Sequence, residues 1–472
     1  MAYYNRRRFL GLTSAATFGA ASGLLGALST RAVAQASDSS GYKALICIFF
    51  RGGIDNFDTV LPTDQPSFNK MKSVRPDIFA SYGQGSGTSS RDRENLLELG
   101  ELTGSGGRSF GLPPEMTDLA ALYKAGDMAI VGNVGPLIVP VQREDVLQQS
   151  KPLPRNLFSH NDQQSTWMSG DLEGLRNGWG ADFARLATIA DPSNNATFSA
   201  VTVTNSDIFL RGGGISQYVA RSGGIREPRI LIDTDKLGSA RDSAVVKNAL
   251  RRHFASTNTR GDNFLIEDLA RSFEAARDSN ETYFSGLNGA LSLSTEFPTS
   301  NIGQQLKVIA NTINARGAFG VGRQVFYANM DGFDTHDAQR DVLPIKQRQF
   351  SEAVGAFQQA MSEMNLSDSV TTFTASDFGR TMQSNGNGTD HGWGNHHFVI
   401  GGAVNGNRIV GDIPDYNVSS SRYTQTASRM IPTTSVEQFA ATLGSWFGIA
   451  DDELQSVFPY LGNFDSPYID LF

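Results

Sequence analysis

The run Lys43-Ala-Leu-Ile-Cys-Ile-Phe-Phe50 constrains this chain more than any other stretch. Every residue after Lys43 is apolar, without the alternation of a strand that keeps one face wet. A short unalternated apolar run reads as a strand buried on both faces, as in a parallel sheet covered by helices. It stops abruptly at Arg51-Gly52-Gly53-Ile54-Asp55-Asn56-Phe57-Asp58. Ligands of open α/β sheets bind beyond the carboxyl ends of the strands, so this turn is a natural place for chemistry. Cys47, inside the run, is the chain's single cysteine and reads as a small packed hydrophobe rather than a reactive thiol.

The remaining periodicity extends the pattern. Helices are predicted around 114–125, 264–277, 304–315, 338–364, 435–447 and 452–458. Strands are predicted at 128–134, 198–204, 324–329, 370–374 and 397–400. Strands alternating with helices indicate a three-layer α/β/α sandwich with a mainly parallel central sheet. One domain is expected over 35–472, with insertions near 60–110, where Gly and Ser are frequent, and near 205–300.

The first 34 residues stand apart. Asn5-Arg6-Arg7-Arg8-Phe9-Leu10 is followed by an uncharged Ala/Gly/Leu-rich stretch and then by Ala32-Val33-Ala34. A basic start, a mildly apolar middle and a small-x-small exit are the parts of an export signal, and the arginine pair makes it resemble the twin-arginine class. Ser, Thr and Gly interrupt the apolar part, which argues for a cleaved signal over a spanning anchor. The expectation is export by the twin-arginine translocase to the periplasm or beyond, with no stable transmembrane anchor. Four arginines and no acid precede the cleavage site, so the formal charge of −8 becomes −12 without them. An acidic chain is a poor partner for nucleic acid and suits carboxylates gathered around cations.

The six histidines are unevenly placed. His160, His336, and the group His391, His396 and His397 fall in three short segments, and His253 stands alone, read as a surface or packing residue. Acids and hydroxyls accompany them at predicted strand ends or loops: Ser159-His160-Asn161-Asp162, Asp331-Gly332-Phe333-Asp334-Thr335-His336, Ser376-Asp377-Phe378-Gly379-Arg380, and Thr389-Asp390-His391-Gly392-Trp393. With Asp55 they form a set that one sheet edge could gather. Carboxylate with imidazole suits zinc, manganese or iron. Singly, each segment is equally an ordinary hydrogen-bonded loop, and motif matches of this kind carry many false positives. Asp377-Phe378-Gly379 lacks the other elements of a kinase, and Gly212-Gly213-Gly214 lacks the Gly-Lys-Ser/Thr ending of a P-loop.

Arg51-Gly-Gly-Ile-Asp55, Phe110-Gly-Leu-Pro-Pro-Glu115, Phe158-Ser-His-Asn-Asp-Gln-Gln164, Gly332-Phe-Asp-Thr-His336, Ser376-Asp-Phe-Gly-Arg380 and Thr389-Asp-His-Gly-Trp393 occur in this order. The combination resembles the DUF1501 family of exported bacterial proteins, which is similar to the alkaline-phosphatase and sulfatase superfamily. The resemblance implies metals at the carboxyl end of the sheet, with Asp55, Asp334, His336, Asp377 and His391 as ligands. It departs from the superfamily pattern in the short Asp334-Thr-His336 spacing and in Phe378, which stands where the superfamily has an imidazole. Ser159 is the candidate nucleophile. In the other readings His160 is a metal ligand in its place, or there is no covalent catalysis. Arg51 or Arg380 would offer a forked donor to an anion. Two functions follow: an exported metal-dependent hydrolase of phosphate or sulfate esters, or a non-catalytic exported protein that binds a metal or an envelope partner on the same scaffold.

Overall fold

The computed structural model describes residues 41–472 apart from 84–88, 102–106, 172–175, 206, 221–244, 247, 250–251 and 253–263. The export signal, His253 and most of the stretch between 221 and 263 therefore lie outside the described residues. In chain order the strands are β1 (Lys43–Phe50), β2 (Leu61–Pro62), β3 (Leu97–Glu101), β4 (Ser109–Leu112), β5 (Met128–Gly135), β6 (Ala200–Thr202), β7 (Tyr218–Val219), β8 (Arg323–Met330), β9 (Val370–Ser376), β10 (Arg380–Ser384), β11 (Thr389–His391), β12 (Asn395–Ile400), β13 (Arg408–Gly411) and β14 (Thr434–Ser435).

The central sheet runs β13-β5-β12-β9-β1-β8-β6-β7, with β14 joined to β5. β1 lies between β8 and β9 and is parallel to both. β12 is antiparallel to its two neighbours, β5 and β9, and every other pairing in this sheet is parallel. The mainly parallel sheet expected from the apolar runs is present, with one reversed strand.

Alternation of side chains along β1 shows why the run has no polar face. Ala44, Ile46, Ile48 and Phe50 enter one core, while Leu45, Cys47 and Phe49 enter another. The first core is covered by the helices Thr117–Ala125, Asn301–Asn314 and Gln339–Glu363; the second by Trp179–Ala190, Val436–Phe447 and Asp451–Val457. Two cores separated by one sheet make three layers. Burial of an apolar strand on both faces at about 25 cal/mol per Å² is the principal stabilisation of such a sandwich. No helix among the described residues is long and apolar enough to cross a membrane.

The segment between β1 and β5 builds a small antiparallel sheet, β2-β4-β3, and two short helices, Gln65–Val74 and Pro76–Ser81. A chain of buried ion pairs ties it to the end of β1. Arg75 holds Asp55 at 2.8 Å, and Arg91 holds Asp58 and Glu115 at 2.8 and 2.7 Å. Gln339, at the start of the long helix Gln339–Glu363, donates from one amide to both Asp55 and Asp58, at 2.7 and 3.1 Å.

Two of the histidines belong to the core. His396 and His397 lie on β12, buried, and burial pushes both down to about 3. His396 Nδ1 accepts the amide of Asn133 at 3.0 Å, so that nitrogen is spent on the sheet.

Candidate metal centre

The ends of β1, β8 and β9 lie side by side, and the loops that leave them meet. Gly52 and Gly53 make the approach possible. Both have positive φ, +111° and +83°, which favours glycine. A Cβ on Gly52 would stand 2.4 Å from the amide nitrogen of Asp334, and one on Gly53 would stand 2.6 Å from the ring of Phe378. The pair lets the β1 turn touch the loop after β8 and the loop after β9 at once. Gly52 also donates its amide to Asp377 Oδ2 at 3.2 Å.

Four side chains converge there. Asp334 and His336 come from the loop after β8, His391 ends β11, and His160 is the first residue of the helix His160–Ser169. His336 Nε2 and His391 Nε2 face each other at 2.9 Å and lie 3.3 and 3.4 Å from Asp334 Oδ1. His160 Nε2 lies 3.5 Å from Asp334 Oδ2. Ligand atoms of His160, Asp334 and His391 all fall within 4.8 Å of one another.

The surroundings orient each group. His160 Nδ1 pairs with Asp377 Oδ2 at 2.6 Å, and this hydrogen bond, working against burial, raises the imidazole above its ordinary range. His391 Nδ1 lies 2.8 Å from the carbonyl of Phe158, a residue turned into the left-handed region at φ +75°. Burial lowers the His391 pKa. His336 Nδ1 lies 3.1 Å from Asp390. Burial opposes ionisation of Asp334, but the hydrogen bond and charge of Arg380 outweigh it and hold the carboxyl below the usual range. Phe378 stacks beside His160 and His391, with ring centroids at 4.9 and 4.5 Å. Phe378 therefore packs against two of the clustered imidazoles.

The donor set fits a divalent cation. Asp377 is fully buried, yet its Oδ1 has no hydrogen-bond partner, and neither has His160 Nε2. Buried polar atoms are normally partnered. Imidazole nitrogens that hydrogen-bond a carboxylate or carbonyl through their other nitrogen are the usual arrangement of metal-ligating histidines, and His160, His336 and His391 all have it.

Three sequence-based expectations need correction. Asp55 does not join the cluster: Arg75 occupies both of its oxygens, the amide of Phe57 and Gln339 add to them, and nothing is left for a metal. Arg380 is buried and spends its guanidinium on the carbonyls of Gly53, Phe333 and Thr389 and on Asp334 at 2.5 Å, so it positions a ligand rather than offering a fork to an anion. Arg51 gives one nitrogen to Asp207, while its Nε, 4.0 Å from Asp331, has no hydrogen-bond partner, so only part of its fork remains for an anion.

Ser159 is the N-cap residue of the helix that starts with His160, a segment expected as loop, and its side chain makes no capping bond. Arg75 and Gln339 were not singled out from the sequence, and Gln164 and Asp390 stood in the quoted segments without a role. Gln164 donates to Asp377 Oδ2 at 3.0 Å. It follows His160 by four residues, the spacing that puts two side chains on one helix face, and that was the signal available for it.

A mainly parallel α/β/α sandwich with an Asp/His cluster at the carboxyl edge of its sheet is the class that fold and site define. The chain belongs to the family described as "Protein of unknown function (DUF1501)", which matches residues 42–458. No curated protein matches it in sequence. Solved structures similar to it include Ps i-CgsB in complex with k-i-k-neocarrahexaose, at 10% identity and TM-score 0.35 over 91% of this chain and 78% of that one. The lipoteichoic acid synthase LtaP from Listeria monocytogenes is similar at 9% identity and TM-score 0.32, over 88% and 75%. BT1596, a 2-O GAG sulfatase, is similar at 10% identity and TM-score 0.30, over 87% and 71%. The fold assignment rests on the strand order and the two cores, not on these likenesses.

Proposed function

We propose that the protein is an exported metal-dependent hydrolase of phosphate or sulfate esters, on a scaffold resembling the alkaline-phosphatase and sulfatase class. The observation that carries this reading is the convergence of Asp334, His160, His336 and His391 beside the buried, unpartnered Oδ1 of Asp377. Asp334, His160 and His391 would hold the cation, with His336 and Asp377 at its margins. Such an ion supplies Lewis-acid polarisation of an ester oxygen and eases loss of a proton from a hydroxyl or water nucleophile. Arg380 fixes Asp334, and Asp377 with Gln164 fixes His160. Ser159, at a helix N-terminus with its hydroxyl free of capping, is the nucleophile in this reading.

The test is turnover of p-nitrophenyl phosphate and p-nitrophenyl sulfate by protein loaded in turn with zinc, manganese and iron. Ser159→Ala should lower kcat by at least roughly a hundredfold, a conservative figure beside the loss seen when hydrolases lose a nucleophile, while leaving bound metal unchanged. Turnover unaffected by Ser159→Ala would remove the serine from the mechanism.

One observation favours the second reading, a non-catalytic metal or envelope-partner protein. Arg380 is wholly engaged by carbonyls and Asp334, and Arg51 gives one nitrogen to Asp207, so neither presents a complete free fork to an anion. Stoichiometric metal without turnover of either ester would decide for it.

Export follows in this proposal from the arginine pair at the N-terminus. Replacing Arg6 and Arg7 together with lysine should leave full-length precursor in the cytoplasm, detected by fractionation. Normal export of that variant would overturn the twin-arginine route.

A further inference from the structure

The helix His160–Ser169 has His160 at one end and a separate cavity at the other. Ten residues at 1.5 Å rise put the two ends roughly 15 Å apart. The cavity, about 360 Å³, is lined by Thr166 and Gly170 from this helix end, by Ile138, Leu153, Trp179, Phe458 and Tyr460, and by Glu437. This is the low end of the size range of small-molecule sites, which are apolar chambers with a few placed polar groups.

Glu437 is the polar group that stands out. It lies in the first turn of the helix Val436–Phe447 and is only 5% exposed. Its Oε2 accepts the amide of Tyr460 at 2.8 Å, which fastens the segment after the last α-helix. Its Oε1 is buried without a hydrogen-bond partner. A purely structural tether accounts for the first oxygen and leaves the second unexplained. An unpaired buried carboxylate oxygen costs free energy unless a donor meets it.

The chemistry of the walls narrows the donor. An anion without a hydrogen to donate brings Oε1 no partner. A hydroxyl would satisfy Oε1 but bring its own lone pairs among Ile138, Leu153 and Phe458. An ammonium carries three donors and no acceptor, and aromatic faces attract it. Trp179, Phe458 and Tyr460 bring aromatic surface to the cavity wall. We propose that this cavity binds a small primary amine with an apolar, aromatic-sized body, its ammonium paired with Glu437 Oε1.

The charged groups around the carboxyl are two arginines and an aspartate. Arg155 lies on the loop before the His160 helix and Asp171 just after it, both on the cavity wall. Arg176 lies over the Tyr460 ring at 5.9 Å and pairs with Asp171 at 3.6 Å. Burial pushes Glu437 up to about 7, while the amides of Tyr460 and Leu461 and the charge of Arg176 partly offset that rise. The carboxyl must ionise before it can pair with an ammonium. Amine affinity is therefore present above about pH 7 and lost as the pH falls below it.

Isothermal titration of the full chain with 2-phenylethylamine, and with 2-phenylethanol as its neutral counterpart, tests the site. The expected result is one amine per chain at pH 8, with the alcohol at least tenfold weaker. At pH 6 the amine should bind about tenfold more weakly, from protonation of a carboxyl near 7. Glu437→Gln should cost at least tenfold, and Leu153→Trp, which fills the cavity from a loop, should abolish binding without removing the carboxyl. Equal binding of amine and alcohol, amine binding indifferent to Glu437→Gln and Leu153→Trp, or no binding at millimolar amine would overturn the proposal.

Discussion

Removing the metal is expected to lower the melting temperature, and His391→Ala should reproduce the loss. Asp334, His160 and His391 come from parts of the chain far apart in sequence, so the site is assembled only by folding, and metal affinity becomes folding free energy. A ligand that binds only the native state stabilises it by about 4 kcal/mol at a thousandfold excess over Kd. For a chain of this length that is on the order of 5 °C. His391→Ala leaves Arg380 paired and is the clean comparison. Asp334→Ala should melt lower still even without metal, because it strips the buried Arg380 of its carboxylate. Calorimetry with and without chelator separates the two effects: in His391→Ala the chelator should have no further effect. Protein that carries no stoichiometric metal, with melting indifferent to chelator and to His391→Ala, would reduce the cluster to ordinary polar loops.

Asp55→Ala is expected to destabilise the protein by about 3–5 kcal/mol, the usual cost of leaving one partner of a buried ion pair alone. Metal content per folded chain should stay unchanged. Arg75 would then lie buried with the Phe57 ring beneath it and the carbonyls of Thr381 and Met382 as its acceptors, at 2.9 and 2.7 Å. The damage should spread, because Gln339 links Asp55 to Asp58, and Asp58 is tied to Arg91. Replacing Asp55 and Arg75 together by apolar residues of similar size should cost less than either alone, since neither charge is then stranded. Denaturant midpoints of the three variants, with bound metal measured beside them, check this. Loss of metal from an otherwise stable Asp55→Ala protein would return Asp55 to the ligand set.

Phe378 and Gln164 mark how far the chain could be read in advance. The order of motifs brought Asp55, Asp334, His336, Asp377 and His391 under suspicion together; Asp334, His336 and His391 lie side by side, Asp377 reaches them through His160, and Asp55 stays apart. The role of each could not be read the same way. Asp55 and Asp377 look alike in sequence, each an acid just past an apolar strand. One is neutralised by Arg75, twenty residues on, and the other holds His160 from 217 residues away. Arg380 looks like an anion donor until its four partners are counted around it.

The sequence by itself determined the layers and six strands of the central sheet, β1, β5, β6, β8, β9 and β12. Apolar periodicity is local, and a run buried on both faces, as in Lys43–Phe50, admits few other outcomes. It also marked the carboxyl ends of β1, β8 and β9 as the edge that carries acids and imidazoles. The tertiary structure alone decided which carboxylates are spent on arginines and which keep an unpartnered oxygen. It also decided that β12 runs against its neighbours and that a buried glutamate lies in the wall of a cavity. The physical reason is the same each time. The charge state and partner of a buried group depend on contacts between segments hundreds of residues apart, and residue order carries that information only through the folded chain.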